Sequence, residues 1–138
     1  GESPPPFEER VERLLFRGAL SGATAESPAS AASFPLLPRA RLLLLSERHP
    51  ELIDAGLTPG NPESGVPPAL KADPSFREFW RKHRKPFLPQ PEWSRYRFQA
   101  VLDGVSGPSR LACTLLSGSV VFKQTSPFYS WFERWLEA

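Results

Sequence analysis

At 138 residues the chain has room for one domain or part of one. Its 17 Lys+Arg against 15 Asp+Glu leave a net charge of +2, too small a surplus to hold a nucleic-acid backbone by counterion release. The longest unbroken aliphatic run, Leu42 to Leu45, falls far short of the roughly 20 residues of a transmembrane helix, and a single cysteine, Cys113, rules out an internal disulfide.

No Cys/His pairing has the spacing of a zinc site, so no metal is expected. The sequence holds no Met and starts Gly1-Glu2-Ser3, which reads as a segment of something longer. Residues 1–6 (GESPPP) form a Pro-rich arm that cannot bury apolar surface and is expected to be disordered. A partial domain is expected over 7–138. Leu14-Leu15-Phe16 running into Arg17-Gly18 suggests a short strand or a helix end meeting a Gly turn, and the small, polar residues 21–35 suggest a loop.

Pro38 to Glu47 has Pro at a plausible first helical position, then good helix formers, and predicts a helix of about three turns. Glu51 to Gly56 reads as a short strand, which would complete a βαβ unit. The Pro/Gly-rich stretch over 58–72 predicts an irregular surface excursion. Asp73-Pro74 supplies an N-cap, and Phe76, Phe79, Trp80 and His83 recur at helical spacing, predicting an amphipathic helix over 74–84. The basic run Arg81 to Lys85 at its end is expected to be solvated.

Arg95 to Asp103 alternates apolar and polar residues and predicts a strand; residues 104–109 make a Gly-containing turn, and Arg110 to Leu116 a helix closed by Gly118. Ser119 to Lys123 predicts a further strand. Phe128, Trp131, Phe132 and Trp135, at helical spacing after Ser126-Pro127, predict a terminal helix. Strand, helix, strand in this order implies parallel strands, hence an α/β fold with a Rossmann-like parallel sheet.

In such a sheet ligands sit beyond the carboxyl ends of the strands. The turn 104–109 offers two glycines, the hydroxyls of Ser106 and Ser109, and Arg110 placed to pair with a phosphate. This is a plausible diphosphate cradle, or an ordinary turn with a solvated Arg. Arg17 and Gly18, with small residues through Ser21 and Gly22, could supply a second phosphate-facing cation, or be a turn with a surface Arg. Asp54, Asp103 and His49 are acid/base candidates by type, but each ends a predicted element and is better read as a capping or turn residue. Cys113, on the inner side of its helix and without a His partner, makes a poor nucleophile.

Several segments in order resemble one family: Phe16 to Gly22; Arg41 to Leu45 with His49 to Ala55; Tyr96-Arg97-Phe98 with Leu102-Asp103-Gly104; Ser109-Arg110-Leu111; Leu115 to Lys123; and Trp131-Phe132. The chain resembles the capsule-associated-protein type glycosyltransferases, among them the protein O-glucosyltransferases and their KDEL-motif-containing relatives. The resemblance implies the nucleotide-sugar-binding half of a GT-B transferase. Its donor would be UDP-glucose or UDP-xylose, its acceptor a protein or glycan hydroxyl, and its transfer inverting, in the lumen of the endoplasmic reticulum or Golgi. By this match Arg17, Gly18, Ser21, Ser106, Ser109 and Arg110 would line the UDP-sugar site, with no metal or other cofactor. Pro108 stands where relatives commonly carry Ser, with Ser109 shifted by one. The family's catalytic Asp precedes the matched segment, so no catalytic residue is expected here. The alternative is a non-catalytic interaction module derived from this fold. No nucleic-acid partner is expected.

Overall fold

The computed structural model describes residues 3–22, 34–58, 66, 68–104 and 107–136. Among these residues, four strands and five α-helices follow in the order β1 (Val11–Gly18), α1 (Pro38–Arg48), β2 (Ile53–Leu57), α2 (Pro68–Ala72), α3 (Pro74–Lys82), α4 (Gln90–Trp93), β3 (Tyr96–Val101), α5 (Leu111–Leu115) and β4 (Val120–Lys123). The strands form one sheet in the order β2-β1-β3-β4 with every neighbouring pair parallel, as the α/β, Rossmann-like reading expected.

β1 is a central strand, which explains its composition. Leu14 and Phe16 point to one face, where Phe16 joins Ala40, Leu43, Ala55, Leu57, Phe76 and Ala100 in the main core. Leu15, Gln99, Val101 and Leu111 are buried outside that cluster. The strand starts three residues before the apolar run, where the Val11 amide donates to the Arg95 carbonyl (2.8 Å) and Val11 pairs with Tyr96; exposed Glu12 lies 2.9 Å from Arg97 on β3. The register between β1 and β3 shifts between Val11 and Leu14, so the charged start of the strand bulges.

α1 matches its predicted span to within a residue, seated by Ala40 and Leu43, both fully buried. α3 is capped as expected: the Asp73 carboxylate accepts from the Ser75 and Phe76 amides. Gly118, at φ +72°, follows α5 in the left-handed region that favours glycine.

Several expectations need correction. The predicted terminal helix is absent among the described residues: beyond Ser126, whose hydroxyl accepts from the Phe128 amide, there is only a 3-10 turn over Glu133–Trp135. Trp131 and Trp135 are exposed, so their periodic spacing has no face to pack on. α4 was not predicted. The stretch read as an excursion over 58–72 ends in α2, while 59–65 and 67 lie outside the described residues. Cys113 is exposed and not turned inward. Of the Pro-rich arm, residues 3–6 are described, and the Pro5 carbonyl accepts from Arg10 Nε at 2.9 Å.

The basic run is not simply solvated. His83 is buried, and residues 83–85 lie along the outer edge of β2, with Leu57 N–H donating to His83 O (2.8 Å) and Lys85 N–H to Leu57 O (2.9 Å). Gly56 makes this possible, since a Cβ there would come within 2.6 Å of the Lys85 stem. Gly56→Ala is therefore expected to destabilise the fold by about 1–3 kcal/mol through overpacking, read as a lowered urea midpoint at unchanged slope.

Candidate functional site

From β1 the chain goes to β2 on one side of the sheet, and β3 lies on the other side with β4 beyond it. The loops leaving β1 and β3 therefore diverge, which opens a crevice at the carboxyl ends of these two strands. The segments singled out from the sequence meet there.

Arg110 spans the crevice. Its Nη1 donates to the Arg17 carbonyl at the end of β1 (2.5 Å), and its guanidinium lies 4.9 Å from the Trp93 ring centre. Gly18 lies beside this arm: a Cβ there would be in ordinary contact with Arg110 Nη2 (3.5 Å) and tight only against the Phe16 ring (3.0 Å). Burial pushes the Arg110 pKa below its ordinary value. Arg110 is the residue that precedes α5 and not part of its first turn. α5 has only five residues, so the side chain and not a helix dipole supplies the positive field.

Ser21 is buried, and its Oγ accepts from Arg39 Nη1 at 2.9 Å. Arg39, on the first turn of α1, was missed in the sequence, where it read as an ordinary helix former. It is 7% exposed and donates Nε to Asp103 O (2.9 Å), Nη1 to Ala19 O (2.9 Å) and Nη2 to Leu102 O (3.0 Å). Every hydrogen bond of Arg39 among the described residues ends on a neutral oxygen. Its pKa falls to about 10, chiefly through burial and then through repulsion from Arg110, with Asp103 acting in the opposite direction. Two guanidiniums thus share the crevice.

Arg17 is placed differently from expectation. Its carbonyl lines the crevice, but its side chain is buried against β2, with Nη2 3.0 Å from Asp54 Oδ1 and Nη1 donating to Asp54 O (2.8 Å). Asp54 is no capping residue: it also accepts from Lys85 Nζ (2.6 Å) and the Tyr96 hydroxyl (2.8 Å). Burial disfavours its charge, yet the hydrogen bonds from Lys85 and Tyr96 and the charges of Arg17 and Lys85 together hold its pKa down to about 2. A carboxyl depressed from about 3.9 in the unfolded chain stabilises the fold fully above about pH 5, and that contribution is lost as pH falls through the folded value. The expected loss is about 2 kcal/mol between pH 5 and 2, measured by urea melts across that range.

Ser109 is exposed on the wall of a cavity of about 390 Å³ that it shares with Gly107, Pro108, Phe128, Tyr129 and Glu133. Ser106 lies outside the described residues. The Asp103 amide donates to Gln124 Oε1 (3.1 Å), while its buried Oδ1 has no partner among the described residues. His49 is exposed beside Glu51 at 3.6 Å. The crevice therefore unites Gly18, Ser21, Arg110 and Arg39, with Ser109 at a neighbouring cavity and the Arg17 guanidinium turned away.

No family model matches the sequence. Over 132 residues, 96% of its length, the chain is 26% identical to protein O-glucosyltransferase 3 of Mus musculus and equally to that of Rattus norvegicus. It is 27% identical over 137 residues, 99% of its length, to protein O-glucosyltransferase 3 of Homo sapiens. The chain spans about a fifth of the length of these relatives (21–22%). They are the kind of protein that the motif blocks resemble.

Proposed function

We propose that this chain is the donor-binding part of a glycosyltransferase similar to the protein O-glucosyltransferases, holding a UDP-sugar in the crevice between β1 and β3. The observation that carries the reading is the pair Arg39 and Arg110. Buried Arg39 and half-buried Arg110 bond to neutral oxygens among the described residues, which leaves positive charge only partly offset by Asp103 at the place where a parallel sheet receives its ligand. A diphosphate matches that charge, and the guanidinium fork suits its oxygens.

On this reading Arg110 stabilises negative charge on the departing UDP, electrostatic help supplied by a group already in place. Gly18 allows close approach, and Ser109 offers a hydroxyl at the rim. The sugar is glucose or xylose, and its anomeric carbon inverts on attack by a protein or glycan hydroxyl. The base that deprotonates that hydroxyl comes from chain outside these residues. The protein works in the lumen of the secretory pathway; no helix among the described residues is long and apolar enough to cross a membrane.

Calorimetric titration of UDP and of uridine tests the reading. UDP is expected to bind at least 30-fold more tightly than uridine, with an affinity that weakens as salt is raised. Equal affinity for the two would sink the diphosphate site. The exposed Tyr129, Trp131 and Trp135 favour a second reading, an interaction module, which a folded chain with no affinity for UDP would support.

A further inference from the structure

We propose that Arg39 is the positioning residue of this crevice, fixing the loops after β1 and β3 at one separation so that Arg110 meets both donor phosphates. The proposal rests on the donor reading above.

At the ends of these strands, the backbone hydrogen bonds among the described residues run outward, away from the crevice. The Gly18 carbonyl accepts from Thr58 N–H (3.1 Å), beyond β2, and the Val101 carbonyl from Gln124 N–H (3.0 Å), beyond β4. Across the crevice the ties are arginine side chains. Arg110 reaches one carbonyl, that of Arg17. Arg39 reaches two positions on each side: Ala19 and Ser21 after β1, Leu102 and Asp103 after β3.

Its fork is planar and rigid, and it projects from α1, a third element anchored by fully buried Ala40 and Leu43. The separation of the loops is therefore set by covalent geometry and not by the ligand. Gly104 completes the fit. A Cβ there would stand 3.0 Å from Arg39 Nη2 and 3.1 Å from Ser21 Oγ, so a side chain requires these partners to give by a few tenths of an ångström. Such prior ordering is what lets a fixed cation act on a diphosphate without a cost of reorganisation at binding.

A purely structural Arg39 would change stability but not the way Arg110 works. The test is UDP calorimetry on the wild type, Arg39→Lys, Gly104→Ala, Arg110→Ala and the Arg39→Lys/Arg110→Ala pair, each checked for folding by circular dichroism. Arg39→Lys keeps the charge and loses the fork, and it is expected to weaken UDP at least 30-fold. Gly104→Ala is expected to weaken it at least 10-fold, and Arg110→Ala to cost less than 3-fold further in the Arg39→Lys background.

Affinity within 3-fold of wild type in Arg39→Lys overturns the proposal, as does an Arg110→Ala effect of equal size in both backgrounds. If Arg39→Lys does not fold, Gly104→Ala decides alone: folded with unimpaired UDP binding, it overturns the proposal. Failure of the folded wild type to bind UDP overturns the donor reading and this proposal together; failures confined to the variants' predicted effects leave the donor reading intact.

Discussion

Arg110→Ala is expected to weaken UDP binding by more than 100-fold while leaving the chain folded. A hydrogen bond to a charged group contributes about 1.5–3 kcal/mol, and a guanidinium facing a diphosphate makes two of them. The structural cost is smaller. The variant loses one charge-assisted bond to the Arg17 carbonyl and the contact with the Trp93 ring, together about 2–4 kcal/mol. The melting temperature should fall by roughly 7–14 °C, what such a loss produces in a domain of this size. Arg110→Lys separates charge from shape: it retains the positive charge without the fork, and its affinity should lie between wild type and Ala. A UDP affinity unchanged in Arg110→Ala would place the anion elsewhere.

The largest stability effect is expected at Asp54, which has no part in the proposed chemistry. Its carboxylate is the negative centre for the Arg17 guanidinium, whose side chain is 8% exposed, and for Lys85. Asp54→Leu leaves Arg17 charged and buried with no anionic partner, a situation that costs about 3–5 kcal/mol. Thermal melts should show a fall of roughly 10 °C or more. Adding Arg17→Leu should recover part of the loss, because an apolar pair of similar volume carries no desolvation penalty. A double variant less stable than Asp54→Leu alone would show that Arg17 acts through its bonds to the Phe16 and Asp54 carbonyls and not through the ion pair. The two sites make opposite uses of arginine. Arg17 is paired with a carboxylate within the fold, whereas Arg39 and Arg110 bond to neutral oxygens among the described residues and, on the proposed reading, face the donor diphosphate.

That division was out of reach from sequence. α1, α3 and β3 announce themselves locally, through Pro38, through the Asp73 cap and through the alternation of Tyr96, Phe98 and Ala100. The βαβ order then implies a parallel sheet, and Gly18 stands out because it ends a strand, Arg110 because it follows a Gly-containing turn at the start of a helix. Arg39 gives no such signal, since its partners lie at positions 19, 21, 102 and 103 and its own surroundings read as helix. Asp54 looks like an element end until Arg17, Lys85 and Tyr96 converge on it. The terminal aromatics show the converse error. Their spacing is helical, but the carboxylate of Glu133 accepts from the Ser130 amide (2.7 Å) and pairs with Lys123 (3.0 Å), holding a local turn where the pattern predicted a helix.

The crevice between β1 and β3 is the proposed donor site, and a nitrogen-15 NMR titration of the folded chain with UDP tests it most directly. The amides of Gly18 to Gly22, of Leu102 to Gly104, of Gly107 and of Ser109 to Leu111 should shift together and saturate with one affinity, with the Arg39 and Arg110 side-chain resonances following. Saturating shifts confined to the aromatic segment 128–136 or to the basic run 81–85, with these loops unmoved, would contradict it.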